Sequence, residues 1–443
     1  MTRPEPATSP PTHTDTEIGS VFVSNYPPYS SWGKGRQDLA IDALAQHPAS
    51  EKDFGLYLHI PFCRKRCKFC YFKVFTDKNS DEIGRYLDAL ASEIEQLSGQ
   101  PAIRGRSPKF VYFGGGTPSF ISSKHLKTLV DRVKTAVPWT GVEEITFECE
   151  PGTLTHAKLE AIRSIGVTRL SLGIESFDDD ILRNNGRAHV SKEIDRCLPW
   201  IQELDFEQLN VDLIAGMVGE TWDTWRYSVA RTVELAPDSV TIYQMELPFN
   251  TRYSSRILEG SFDQALADWD QKRAWHDYAF QELAKSGYEI SSAYTMVRDA
   301  ARTRFVYRDS VWHGCDLLGT GVASFSHIGG VHFQNVDTWG EYLAKMEAGE
   351  LPVSRAYRTT EREELIREFI LQLKLGRVDL APLESKFGTN IRREFSQPLR
   401  DLESRGMLHS ENGSISLTRK GLLRVDTLLP EFYDTQHRGG RYT

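Results

Sequence analysis

Three cysteines, Cys63, Cys67 and Cys70, fall within eight residues of the stretch Tyr57-Leu-His-Ile-Pro-Phe-Cys-Arg-Lys-Arg-Cys-Lys-Phe-Cys-Tyr-Phe-Lys73, spaced C-x3-C-x2-C. Thiolates at this density select zinc, copper(I) or an iron–sulfur cluster. Structural zinc wants a fourth Cys or His at a suitable spacing. No C-x2-C partner follows, and His59 falls on a predicted strand. In a [4Fe–4S] cluster, three thiolates leave one iron without a protein ligand, and chemistry can enter there. Arg64, Lys65, Arg66 and Lys68 set positive charge beside an anionic cluster. Structural zinc and three plain thiols stand as the alternatives.

The elements around the cysteines must hold them at a surface. The apolar run Gly55–Ile60 predicts a buried strand, and Pro61 ends it because proline cannot donate to the ladder. The cysteines then sit on a loop at the carboxyl end of a strand, where α/β folds keep their active sites. From Phe54 onward, predicted strands (110–113, 145–149, 169–174, 208–215, 239–246) alternate with predicted helices (81–97, 123–136, 155–165, 191–204, 221–236). Six βα units predict a parallel α/β sheet curled into most of a TIM-like barrel.

Further candidate residues fall at the ends of these strands. Gly114, Gly115, Gly116 and Thr117 follow the second and let backbone N–H groups approach a ligand. Glu148 ends the third, followed by Cys149, Glu150 and Pro151. Ser171-Leu-Gly-Ile-Glu175-Ser-Phe ends the fourth, with Arg187 and His189 just beyond. Asp212 interrupts the apolar fifth strand, and a buried carboxylate there needs partners.

Taken together, these stretches resemble the radical S-adenosylmethionine (radical SAM) superfamily, in its oxygen-independent coproporphyrinogen III dehydrogenase-like branch. The resemblance implies a partial (β/α)6 barrel. It implies a [4Fe–4S] cluster on Cys63, Cys67 and Cys70, and SAM cleaved by one electron to methionine and a 5′-deoxyadenosyl radical. It makes Tyr57 and Glu175 the candidate catalytic residues and Gly114, Gly115, Gly116, Thr117, Glu148, Arg187 and Asp212 the SAM-binding ones. The wording Gly314-Cys-Asp-Leu-Leu-Gly319-Thr-Gly321 is shared across the branch, and assigns Gly319 and Gly321 to a second SAM or substrate site. It also implies a small-molecule substrate and a flavodoxin- or ferredoxin-type electron donor.

The remainder of the chain predicts a disordered Pro/Thr-rich head (1–20), an aromatic strap or lid (21–53), the barrel (54–250), a barrel extension (251–358, with a long helix over 263–287) and a winged-helix-like cap (359–443). The cap is predicted as helices over 361–375, 379–387 and 391–405, then a hairpin. Net charge is 53 − 61 = −8, which gives no basic field for nucleic acid. No apolar run approaches the roughly 18 residues of a membrane span, and the N-terminal stretch, without an apolar h-region, predicts no secretory signal. Clustered thiols predict a reducing, cytoplasmic setting, with Cys149, Cys197 and Cys315 as buried thiols.

Within the branch, the dehydrogenases carry a further cysteine two places after the third ligand, where this chain has Phe72. The haem chaperones carry H-N-x-x-Y-W where this chain has Tyr307-Arg-Asp-Ser-Val-Trp312. The stretch after Cys70 and the tail Arg438–Thr443 look more like members that methylate or cyclopropanate natural products. The expected reaction is therefore transfer of a methyl or methylene carbon from a second SAM to an sp2 carbon, with a separate methyltransferase as a possible partner. Coproporphyrinogen III decarboxylation is the alternative, and a haem-binding chaperone the non-enzymatic one.

Overall fold

The computed structural model describes residues 15–48, 52–411 and 413–440. Six strands lie parallel in sequence order: β1 (Phe54–Ile60), β2 (Phe110–Gly115), β3 (Glu144–Cys149), β4 (Arg169–Glu175), β5 (Gln208–Ala215) and β6 (Ser239–Gln244). Beyond β6 runs the antiparallel β7 (Thr295–Val297). On the other flank a seventh parallel strand, β8 (Asp316–Thr320), pairs with β1. From there β9 (Phe325–Ile328), β10 (Val331–Asn335) and β11 (Val353–Arg358) continue antiparallel. With the two-residue strands Gly33–Lys34 and Glu289–Ile290 at its ends, the sheet has 13 strands and stays open. The six expected units are thus extended by a strand from the second half of the chain.

The strands are buried nearly throughout because helices cover one face and the interior the other. In β1 every residue except Tyr57 is buried. The covering helices are α1 (Ser80–Ser98), α2 (Ser123–Ala136), α3 (His156–Ser164), α4 (Ser191–Glu203), α5 (Trp222–Leu235) and α6 (Trp269–Lys285). α1 begins at a capping box formed by Asn79 and Glu82, and buries Ile83, Tyr86, Leu87, Leu90, Ile94 and Leu97 along one stripe. α6 starts six residues later than 263, at the point where the Asp268 side chain caps the Gln271 N–H.

Between β7 and β8 lies α7 (Val306–Trp312), and the C-terminal region holds α8 (Glu361–Leu373) and a small sheet of β12 (Arg377–Asp379), β13 (Leu408–Glu411) and β14 (Ser414–Leu417) in the order β12-β14-β13, a winged-helix-like arrangement. The single helix expected over 391–405 is two, Ile391–Glu394 and Ser396–Ser404. The break is at Phe395, whose ring packs on Phe369 and Phe432.

Of the disordered head expected over 1–20, residues 15–20 are instead ordered against the rest of the chain. Residues 1–14 lie outside the described residues, but Thr16 donates to the Ala267 carbonyl, Gly19 N–H to the Leu247 carbonyl and the Ser20 hydroxyl to Glu246. Residues 441–443 of the tail also lie outside the described residues.

Candidate active site

The cysteine loop leaves β1 and closes on itself. Phe75 N–H donates to the Pro61 carbonyl at 2.7 Å, and Cys63 N–H to the Phe75 carbonyl at 3.1 Å. The glycine turn after β2 is stitched to its start. Gly116 N–H donates to the Ile60 carbonyl at 2.9 Å and Thr117 N–H to the Phe62 carbonyl at 2.8 Å. A Cβ on Gly116 would lie 2.8 Å from that same Ile60 oxygen, so only glycine permits the approach. The far side of the loop is held by Lys68 N–H on the Asn185 carbonyl and by Arg66, which donates to the carbonyls of Cys70 and Asn250.

Two of the three thiols carry a donor. The Thr117 hydroxyl lies 3.3 Å from the Cys63 sulfur, and Arg187 Nη1 lies 3.3 Å from the Cys67 sulfur. Arg187 also donates to the Gly173 carbonyl at 2.7 Å and faces Glu175 at 3.7 Å, while its buried Nε has no partner. Burial pushes the Cys63 thiol up to about 11 and the Cys70 thiol up to about 12. Thiolates there need a positive charge to offset desolvation, and metal ligation supplies it. Three thiols on one loop, all facing one cavity and two of them with a donor in place, are the residues that would hold an iron–sulfur cluster.

The carboxylates stand nearby. Glu148 accepts from the Tyr112 hydroxyl at 2.7 Å and from Gly115 N–H at 3.1 Å. Burial, with Asp212 close by, pushes its carboxyl up to about 7. Asp212 accepts from Ser171 and Asn210 and is raised by burial. Glu175 sits at a bulge between β4 and β5 with φ +67°, a left-handed conformation that a non-glycine residue holds only under constraint. Burial raises its carboxyl to about 7. Tyr57 stacks on Tyr112 with ring centroids 5.7 Å apart.

Tyr57, the three cysteines, Gly115, Gly116, Thr117, Glu148, Glu175, Arg187 and Asp212 all line one cavity of about 1190 Å3. Gly114 does not; its backbone packs against the Tyr112 ring and Glu148. Nor do Gly319 and Gly321. A Cβ on Gly319 would lie 2.1 Å from the Phe325 carbonyl oxygen. One on Gly321 would lie 2.5 Å from the Tyr86 hydroxyl. Those two glycines serve close packing between β8, β9 and α1, and the cavity is lined instead by Ala323–His327 just after them. The strap also contributes, through Ser20–Phe22, Asn25, Tyr29 and Trp32, and the C-terminal region through Leu422–Thr427.

Glu150 is the site residue whose role the sequence left open. It accepts from Arg64 at 3.1 Å, from Gly152 N–H at 3.0 Å and pairs with His189 Nδ1 at 2.8 Å. Burial works against its charge, yet the His189 contact, Arg187 and Arg64 hold its carboxyl down at about 2. Burial lowers His189 in turn, with the Glu150 contact pulling the other way. Glu150 therefore anchors the cysteine loop to β3 through Arg64. The E-C-E-P wording marked the position but not this partner.

Residues 57–230 match the model of the radical SAM superfamily, and residues 359–424 that of the HemN C-terminal domain. The chain is similar to the heme chaperone HemW of Bacillus subtilis, 27% identical over 375 residues covering 83% of this chain and 96% of that one. It is similar to the oxygen-independent coproporphyrinogen III oxidase of Escherichia coli, 26% identical over 400 residues covering 87% and 86%. The solved structure of coproporphyrinogen III oxidase (HemN) from Escherichia coli superposes with a TM-score of 0.80 at 25% identity, over 94% of this chain and 97% of that one. These relatives are oxidases and chaperones, not the methylating or cyclopropanating members expected from Phe72 and the tail. With a cysteine loop, glycine turn and strand-end carboxylates around one cavity, the chain belongs to the radical SAM superfamily, in the branch of the coproporphyrinogen III oxidases and their haem-chaperone relatives.

Proposed function

We propose that this protein is a SAM-cleaving enzyme that takes a hydrogen atom from an organic acid held in the cavity, with oxidative decarboxylation of coproporphyrinogen III as the reaction. The observation that carries this reading is the convergence of Cys63, Cys67, Cys70, Glu148, Arg187 and Asp212 on one cavity, in a chain that superposes on a coproporphyrinogen III oxidase over nearly its whole length. In that reaction a propionate side chain loses a hydrogen atom, carbon dioxide and one electron, which passes to an external one-electron acceptor, and becomes a vinyl group.

A [4Fe–4S] cluster and SAM, when bound, supply the reducing electron and the hydrogen-abstracting radical. The chain's own residues do the rest. Thr117 and Arg187 donate to two of the thiolates and lower the cost of their charge. Arg187, Glu148 and Asp212 offer a cation and two acceptors to the charged and hydroxyl groups of SAM. Tyr57 and Tyr112 form a flat aromatic wall. Glu175, held near 7, can take or return a proton at neutral pH. An acidic flavodoxin- or ferredoxin-type protein is the expected source of electrons.

A second reading, transfer of a methylene carbon from a second SAM, is favoured by two observations. Phe72 stands where the oxidases carry a further cysteine, and it lies exposed and stacked on Tyr71 at 4.5 Å. The cavity also exceeds the roughly 300–1,000 Å3 of most single-ligand sites. That reading keeps the methyltransferase partner. Against the chaperone reading stands Tyr307–Trp312, within α7, where the chaperones carry H-N-x-x-Y-W.

The test is to incubate reduced, reconstituted protein with coproporphyrinogen III and methyl-deuterated SAM. Carbon dioxide released together with undeuterated 5′-deoxyadenosine is the expected result. Deuterium in 5′-deoxyadenosine without carbon dioxide would replace this reading with the second one. SAM left intact in every condition would remove both.

A further inference from the structure

Two histidines that no step of the proposed reaction uses meet at the edge of the cavity. β9 and β10 are joined by Gly329 and Gly330, both at positive φ (+55° and +72°), the two-residue turn of a tight hairpin. The turn sets the register, and the register puts His327 directly opposite His332. Residues opposite one another on paired strands share a face, so the two rings meet. Their centroids are 4.4 Å apart, and Nδ1 faces Nδ1 at 3.1 Å. Trp32, stacked on His332 at 5.0 Å, fixes that ring. His327 is 4% exposed and lines the cavity, whereas His332 is wholly buried behind it.

Groups that can only donate or only accept determine the protons in this cluster. Arg367 Nε can only donate, and it lies 2.6 Å from Asn25 Oδ1, which fixes the orientation of that amide. The amide nitrogen therefore faces His332 Nδ1, at 3.2 Å, and donates to it. His332 Nε2 lies 3.1 Å from the Tyr26 carbonyl, which can only accept, so Nε2 carries the proton and Nδ1 the lone pair. That lone pair also faces His327 Nδ1, which must then carry a proton of its own, because two bare nitrogens at that distance would repel. Burial, and after it His332, Arg367, Lys52 and Lys386, holds His327 well below the usual histidine range, so its ring is neutral. Its other nitrogen, Nε2, is left with a lone pair to which nothing among the described residues donates. A buried acceptor without a partner is costly, and a ligand in the cavity can supply the donor. His327 lies opposite Leu317, which lies beside Gly55 near the start of β1, whereas the cysteines follow the far end of that strand.

We propose that His327 Nε2 is the hydrogen-bond acceptor of a subsite on the cavity wall that takes an uncharged N–H or O–H donor of the substrate, and that Arg367, Asn25 and His332 are positioning residues that keep the lone pair there. This deepens the proposed function, and rests on it only in taking the bound molecule to be coproporphyrinogen III, whose pyrrole N–H groups are such donors.

The test labels histidine with nitrogen-15 in the oxidised, cluster-loaded protein and assigns the His327 resonances by their loss in His327→Gln; cluster absorbance and circular dichroism report the folding of each variant. At neutral pH His327 is expected to carry its proton on Nδ1 and none on Nε2. Coproporphyrinogen III should move the Nε2 resonance upfield, toward the protonated form. His332→Phe removes the acceptor that holds the proton on Nδ1, and should let it redistribute to Nε2. In turnover, His327→Leu should raise KM for coproporphyrinogen III about three- to tenfold, the scale of one uncharged hydrogen bond, and His327→Gln, which keeps an acceptor, should recover part of that loss. A proton on Nε2 in the wild type, or an Nε2 resonance that bound coproporphyrinogen III leaves in place, would overturn the subsite. A shift with SAM alone and none with coproporphyrinogen III would overturn its assignment to the substrate. A moved Nε2 resonance without carbon dioxide keeps the subsite and removes decarboxylation. Carbon dioxide release with an unchanged KM in His327→Leu removes the subsite alone.

Discussion

Single residues show where side-chain chemistry follows from type and where it follows from surroundings. Cys63, Cys67 and Cys70 declare themselves by spacing, because few chemistries want three thiols on one loop. Glu220 does not. It stands on the turn after β5, where its Oε2 accepts from Gly216 N–H at 2.6 Å and its Oε1, buried, has no partner. Burial pushes its carboxyl from 4.5 up to about 8. A carboxyl that stays protonated in the fold takes up a proton on folding at any pH between those two values. Folding is therefore favoured at the acid end of that window and loses stability as pH rises through it. Glu220→Gln keeps the acceptor and cannot ionise, so denaturant titrations should show it gaining on the wild type between pH 5 and 8, by up to about 4 kcal/mol at 1.36 kcal/mol per unit. A constant difference across that range would mean that Glu220 is ionised throughout. Glu150 teaches the same lesson in reverse: equally acidic in sequence, it is held down at about 2 because His189, Arg187 and Arg64 surround it.

At the level of elements, periodicity located the strands and helices well, since the 2.0 and 3.6 patterns are properties of the chain itself. Element ends moved where a cap or an aromatic contact intervened, as at Asp268 and Phe395. The N-terminal segment 15–32, which includes the start of the expected strap (21–53), has the least local signal, because it has no period and its order comes wholly from partners. Glu246 accepts from the Ser20 hydroxyl at 2.6 Å, Val21 N–H at 3.1 Å and Phe22 N–H at 2.8 Å. Asp426 accepts from Val23 N–H at 2.9 Å, and Lys374, paired with Asp426 at 2.9 Å, lies 3.9 Å over the Phe22 ring. Glu246→Ala leaves two strap N–H groups without an acceptor. At about 1 kcal/mol per bond, chymotryptic cleavage after Phe22 should accelerate on the order of tenfold or more. An unchanged cleavage rate would mean that Asp426 and Lys374 hold the strap unaided. The glycine turn near β8 shows the limit of motif reading: it was legible as a turn, yet Gly319 and Gly321 serve backbone packing.

Across the whole molecule, one hydrophobic core runs from Leu56 and Leu58 in β1 through Ile366, Phe369 and Ile370 in α8 to Leu402 and Ile415 in the C-terminal region. α8 is buried on nearly every face, so it cannot serve as an exposed linker between independent units. Calorimetry of the apo protein should accordingly give one unfolding transition with a calorimetric to van't Hoff enthalpy ratio near one. Two resolved transitions would show that the C-terminal region folds separately. Among the described residues no helix is long and apolar enough to cross a membrane. By itself the sequence determined the cysteine loop, its place after a buried strand, the alternation of strands and helices and the strand-end carboxylates, because thiol spacing and side-chain period act over a few residues. Only the tertiary structure decided that Arg187 reaches Cys67 across 120 positions, that Glu150 takes Arg64, that β8 lies parallel beside the first strand, and that Asn25 meets Arg367 across 342 positions. Those contacts depend on which elements pack together, and no local pattern in the chain encodes the partner of a buried charge.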